Sequence, residues 1–561
     1  MKRLLAVLSL AATAVFWGGG PTPAVGAAAA ETLRIGMTQF PSTLNPNIDS
    51  MLAKSYVLAM ARRPVAAYDQ NWELVCLLCT ELPTLENGLA IREELADGGQ
   101  GIAVTYKLHP EATWGDGVPV TSADAVFTWE VGRNPLSGVA DLEPYRRILG
   151  IEVLDEKTYT VHVDRITYDY SAAGSFDLLP AHIERPVFEA DPAEYRNRTT
   201  FDAEPANPGL WFGPYRVSEV VSGSSITLVP NETWWGRKPA FERITVQIIE
   251  NTSALEANLL SGALDMIAGE LGLTIDQALA FERRHGDKFD ILYKPGLVYE
   301  HIDLNLDNPV LADPRVRQAL LHALDREAVS QKLFQGRQPV AHGPVSPLDW
   351  VYAEEEVPRY PYDPEKAGAL LDAAGWSVIK KGLRYNAAGE PLTLEIMTTA
   401  GNRSRELVEQ VLQSQWRQVG IDMRIRNEPA RVFFGQTVSQ RKFPALAMFA
   451  WLSAPESVPR STLHSEEIPT AENNWSGQNY TGFASSEMDE LLEAIELELD
   501  RDKRALLWRR LQKIYAEELP VLPLYWRATP YILPKWLKGI RPTGHLGTTT
   551  LWIEEWTSQG R

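Results

Sequence analysis

Residues 392–452, LTLEIMTTAGNRSRELVEQVLQSQWRQVGIDMRIRNEPARVFFGQTVSQRKFPALAMFAWL, change period four times. LTLEIMTT alternates and reads as a strand, SRELVEQVLQSQWRQVG repeats every three to four residues and reads as a helix stopped by Gly420, and IDMRIRNE alternates again. ARVFFGQTVSQ reads as a short helix and ALAMFAW as a third strand, after which the chain breaks into LSAPES. Strands separated by helices pair in parallel through right-handed crossovers. Trp451 therefore stands at the carboxyl end of a parallel strand, where the ligands of open α/β sheets bind.

A shorter unit precedes it. ITVQIIE (244–250) is a strand, NTSALEANLLSG (251–262) a helix closed by Gly262, and ALDMIAGE (263–270) a second strand ending at Gly269 and Glu270. TLRIGMTQF at the start of the mature chain reads as a strand ending near Phe40. Phe40, Gly269 and Trp451 each mark a strand end, and two α/β segments so far apart imply two lobes with a cleft between them. The crossings between lobes are expected near Lys294-Pro295-Gly296 and in LPVLPLYW (519–526), whose Pro520 and Pro523 argue against a central strand.

Helix signals frame the second lobe. Asp313-Pro314 and Asp363-Pro364 suit the N-cap and first helical positions, and Gly375 ends the second of these helices. Thr121 and Asp124 form a capping-box pattern, and 485–518 reads as two helices with a break near Asp500.

The chain has 561 residues, of which 45% are hydrophobic, enough for two or three domains. Lys2 and Arg3, an apolar run from Leu4 to Trp17 and a small-residue stretch make residues 1–30 a cleavable export signal. That run is too short to span a bilayer, and no Cys near the cleavage region offers a lipid attachment point. The net charge is −19, which argues against nucleic acid as a partner. Cys76 and Cys79, the only cysteines, suit a structural disulfide in an exported protein, with a redox pair as the sharper alternative.

Enzyme signatures are missing. There is no G-x-S-x-G elbow, H-E-x-x-H helix or P-loop, and the nine histidines are scattered. With 73 acidic residues, a facing pair of carboxylates carries no glycosidase signal. No cofactor is expected, and no His-rich cluster speaks for nickel or another metal.

WGDGVPVTSADAVFTWE (114–130), GPYRV (213–217) with NETWWG (231–236), LDNPVLADPRVRQALLHALDREAV (306–329), YDPEKAGALLDAAGW (362–376), NYTGFASSEMDELL (479–492) and LPVLPLYW stand in one order along the chain. In that order they resemble the extracellular solute-binding proteins of the peptide and nickel class, family 5, which serve ABC importers. The resemblance implies an α/β, two-lobed periplasmic-binding-protein clamshell of the three-domain form, hinged at two crossing segments. Domain I would comprise 31–65, 200–295 and 522–561, domain II 66–199 and domain III 296–521. It further implies a periplasmic monomer that captures a peptide or peptide-like solute and delivers it to a membrane permease with its ATPase. An oligosaccharide or other polar small molecule is the alternative ligand.

In the family's peptide binders, the strand matching ALAMFAWLSA offers backbone groups to an extended ligand, and an Asp just after it receives the free α-amino group. Here Leu452, Ser453 and Ala454 stand there, with no acid before Glu456. A buried ammonium needs an anionic partner. Glu456 or Glu270 replaces the Asp, or the ligand lacks a free amino terminus. Further candidates are His301 after the first crossing, Arg460 as a partner for an anionic ligand, and Trp475. Trp475 lies in an amide-rich loop with Asn473, Asn474, Gln478 and Asn479.

Overall fold

The computed structural model describes residues 32–48, 51–96, 98–139, 143–354, 357–429, 432–472 and 477–559; the export signal lies outside them. The segment quoted above folds as strand Thr393–Met397, helix Arg403–Gln418, strand Asp422–Ile425, a π-helical turn Phe433–Val438 and strand Leu446–Leu452. Thr393–Met397 lies between the other two strands and is parallel to both. The helix is capped by the Asn402 side chain and ends just before Gly420, whose φ of +89° suits a residue without a Cβ. Asp313, Asp363 and Asp500 are side-chain N-caps, and Thr121 with Asp124 forms the capping box.

The two lobes share one sheet. Its ten strands run from the second-lobe group, through two long crossing strands, Phe289–Leu304 and Val521–Pro534, into the first-lobe strands Met266–Ile267, Thr32–Met37, Arg243–Ile248, Ser225–Pro230 and Tyr215–Val221. The crossing strands pair antiparallel with each other along most of their length, with register shifts between Pro295 and Tyr299 and between Glu300 and His301. The expectation that Pro520 and Pro523 exclude a central strand is thus corrected, because Val521–Pro534 sits in the middle of the sheet. A proline is tolerated there because this strand's second edge is paired with a neighbouring strand only at Ile532. Around Tyr525 that edge is met by a loop instead, through Trp526 N–H to Pro339 O and Ala341 N–H to Leu524 O.

Separate cores flank this sheet. Leu33, Ile35, Val246 and Trp211 belong to the first-lobe core, and Leu304, Leu320, Ile396, Trp416 and Leu446 to that of the second. A third core, around Val104, Tyr106, Trp114 and Val161, lies under an antiparallel four-stranded sheet built from residues 90–163. Cys76 and Cys79 are joined by a disulfide beside it.

At the hinge, Glu300 is fully buried between two guanidinium groups. Arg405 Nε, from the second-lobe helix, and Arg527 Nη2, from the other crossing strand, each lie 2.6 Å from a carboxylate oxygen. Burial alone would raise the Glu300 pKa, but Arg527 and Arg405 outweigh it and hold it below the usual value. One charge group thereby ties both crossings to the second lobe.

A relay of hydrogen bonds shapes the end of the Leu446–Leu452 strand. Glu409 Oε2 accepts from Asn427 Nδ2 at 2.8 Å, Asn427 Oδ1 accepts from Thr398 N–H at 3.1 Å, and Thr398 Oγ1 donates to Met448 O at 2.7 Å. Pairing with Thr393–Met397 stops at Met397 opposite Ala447, so beyond Met448 that edge of the strand has no strand partner among the described residues. Glu409 is buried with its second carboxylate oxygen unpartnered, and burial pushes its pKa up to about 7.

Two outcomes are expected. Glu300→Gln leaves two arginines without their anion and costs about 3–5 kcal/mol at neutral pH, read by denaturant unfolding. Because the folded-state pKa is lowered, the stabilisation exists above the unfolded value of about 4.3 and is lost as the pH falls below it; the gap between wild type and variant narrows there. Glu409→Gln has the opposite sign. A raised carboxyl pKa favours the fold below the unfolded value and costs stability as the pH rises through about 7. The variant gains about 1–3 kcal/mol at pH 8 and nothing at pH 4.

Candidate functional site

Between the lobes, against the crossing strands, lies a cavity of about 280 Å³. Gly269, Glu270 and Thr274 reach it from the first lobe, Asn402, Ser404 and Leu452 from the second, and Val298, Arg527 and Thr529 from the crossings. Its two charged side chains, Glu270 and Arg527, are of opposite sign. Glu270 Oε1 accepts from Thr549 N–H at 2.8 Å, whereas its buried Oε2 has no hydrogen-bond partner among the described residues. Burial, then the Glu270 charge and the contact of its own hydroxyl with that carboxylate, raise the Tyr531 pKa, but the contact falls short of hydrogen-bond geometry to Oε2. Arg527, paired with Glu300, keeps about a third of its side chain exposed.

A second chamber, of about 150 Å³, adjoins the first at Leu452, which lines both. Its wall includes Tyr299, His301, Asp303, Trp451 and Ser453. Trp451 is half-buried and lies between two near-parallel rings, His301 at 6.4 Å and Tyr480 at 5.8 Å. The loop after the four-stranded sheet also meets the second lobe. There Tyr168 donates to Glu456 O at 2.7 Å, and its N–H to Glu496 O at 3.0 Å.

The structure places the remaining candidates as follows. Phe40 lies past the end of the first strand, which stops at Met37, and packs on the first-lobe core. It lines neither cavity, and neither does Ala454. Glu456 is turned away from both: its carboxylate accepts from Trp350 Nε1 at 2.6 Å and pairs with Arg504 at 3.5 Å, and its backbone is held at φ +59°. Arg460 sits 3.7–3.9 Å from Glu466, Glu493 and Glu496, outside both cavities. Trp475, Asn473 and Asn474 lie outside the described residues. Of the two acids weighed as amine partners, Glu270 faces the interlobe cavity and Glu456 does not.

Sequence reasoning missed Arg527, Tyr299 and Asp303. For Asp303 the signal was present: in YEHID, residues 299, 301 and 303 share one face of a strand while Glu300 and Ile302 take the other. Arg527 directly follows LPVLPLYW and became legible only once that segment proved to be a strand facing the cleft. Among the described residues, no group of three or more His, Cys, Asp or Glu side chains is placed to hold a metal ion. No helix among them is long and apolar enough to cross a membrane.

Comparison with known proteins identifies the family and the fold. The family model described as bacterial extracellular solute-binding proteins, family 5 Middle, matches residues 84–467. The oligopeptide-binding protein AppA of Bacillus subtilis is 25% identical over 469 residues, covering 81% of this chain and 80% of AppA. The crystal structure of an oligopeptide-binding protein from Thermus thermophilus, complexed with a pentapeptide, superposes with a TM-score of 0.72 at 29% identity, covering 94% of this chain and 96% of that one. NikA from Brucella suis, in complex with Fe(III)-EDTA, shares the fold at a TM-score of 0.76 and 19% identity, covering 94% of this chain and 100% of its own. The chain belongs to the bacterial extracellular solute-binding proteins of family 5.

Proposed function

We infer that this protein is the solute-binding component of an ABC importer, exported to the periplasm, where it encloses a peptide-like solute between its lobes and hands it to a permease. The observation that carries this reading is the interlobe cavity. Among the described residues it holds a carboxylate oxygen without a hydrogen-bond partner on one lobe and lies beside a strand end on the other whose outer edge is open.

Each part has a physical role. Residues 449–452 offer main-chain donors and acceptors along an uncovered edge, so an extended peptide can add as a further strand whatever its side chains. Glu270 Oε2, buried and unbonded, carries a desolvation cost that a ligand ammonium offsets. Arg527 has five N–H donors, and those not engaged by Glu300 face a ligand carbonyl or carboxylate. A ligand touching both lobes favours the closed form over the open one by its differential contacts. No bond is made or broken, and the energy for transport comes from the partner ATPase. The chain acts as a monomer of three domains divided at 31–65, 66–199, 200–295, 296–521 and 522–561.

Native mass spectrometry of the gently purified protein is expected to release peptides, and calorimetry to show binding of free-amino pentapeptides. Glu270→Gln lowers that affinity by roughly 10- to 100-fold, as does N-acetylation of the peptide, and the two losses do not add. Equal affinity of wild type and variant for free and acetylated peptides removes Glu270 from the role. An oligosaccharide as the co-purified mass, with no peptide bound, overturns the peptide reading.

A further inference from the structure

We propose that the smaller chamber is a specificity pocket for one basic side chain of the solute, with Asp303 and His301 as its ammonium-binding pair; this rests on the reading that a peptide-like solute occupies the larger cavity. At about 150 Å³ the chamber has about half the volume of the larger cavity, and it opens beside Leu452, which lines both spaces. A residue of a ligand lying along the strand edge can enter it, whereas a whole ligand cannot.

The chemistry at its wall is lopsided. Asp303 is 3% exposed, and among the described residues its one charge partner is the His301 ring, with Nε2 3.2 Å from Oδ1. The other ring nitrogen, Nδ1, faces Tyr299 O at 3.1 Å. A carbonyl only accepts, so Nδ1 carries a hydrogen and donates it to Tyr299 O, which leaves Nε2 as the ring atom turned to the chamber. That nitrogen is fully buried and has no hydrogen-bond partner. The Asp303 carboxylate and that nitrogen thus face each other at the chamber wall without a hydrogen bond between them, and among the described residues neither lysine nor arginine lines the space.

An ammonium supplies what is missing. It has three N–H donors, enough for Asp303, His301 Nε2 and one of the wall hydroxyls of Ser457, Ser461 or Thr462. The rings of Trp451 and Tyr299 also line the space, and Val458 and Leu463 suit an aliphatic stem. A carboxylate side chain would meet Asp303 as a like charge, and a purely apolar one would leave both acceptors bare.

The test uses pentaalanine in which each position in turn carries lysine, norleucine or glutamine, free and N-acetylated, with affinity read by calorimetry. Lysine at one position is expected to bind about tenfold tighter than norleucine, about 1.4 kcal/mol, and to keep that advantage after acetylation. Asp303→Asn removes the advantage and leaves the norleucine peptide unchanged. Ser461→Trp, at an exposed position on the chamber wall, removes it by filling the space, and stands alone if Asp303→Asn fails to give a cooperative melt. Absence of any lysine preference in wild type, its loss on acetylation, or its survival in the variants overturns the inference while the peptide reading stands. Failure of wild type to bind any of these peptides overturns both.

Discussion

The carboxylate of Glu300 is the constraint on which the rest of the molecule depends. It is fully buried, so it needs cations, and the two it has come from different places: Arg527 on the opposite crossing strand and Arg405 on the second-lobe helix. Desolvation of a lone carboxylate costs several kcal/mol, and the pair of guanidinium groups offsets that only when all three elements are in place. The charge group therefore fixes how the two crossings sit against each other where their register shifts between Glu300 and His301. It also turns Arg527 so that its free donors meet the interlobe cavity.

The ligand-facing end of the second lobe follows from a similar economy of partners. Thr398 occupies Met448 O with its hydroxyl, so the ladder ends early and leaves strand edge uncovered toward Leu452. Asn427 and Glu409 hold Thr398 from behind. Around the same strand end, Trp451 is braced by the rings of His301, Phe449 and Tyr480. Packing and site geometry use the same side chains here, which is why Trp451 is both a core residue and a wall residue.

Much of this is legible in the sequence. Periodicity in 392–452 and 244–270 locates the strands and helices, and N-cap aspartates with their prolines place the second-lobe helices to within a residue or two, because local patterns determine local structure. What the sequence hides is long-range. Pro523 argues against a central strand, since nothing local reveals that a strand's second edge will be met by a loop through Leu524 and Trp526. Glu456 looks available because its partners Trp350 and Arg504 are 106 and 48 residues away. Phe40 reads as a strand end, but the strand stops at Met37, a boundary set by pairing with Arg243–Ile248.

The sheet shared by both lobes also limits how the protein moves. Two lobes joined by flexible linkers could approach along many paths, whereas lobes welded into one sheet by paired strands cannot slide past each other without breaking main-chain hydrogen bonds. The motion left to them is a change of twist along the crossing strands, taken up where the register already shifts near Pro295 and Glu300. The hinge is therefore a torsion bar. It allows a single coordinate of opening, so every solute that shuts the molecule presents the same outer face to whatever must recognise the loaded state.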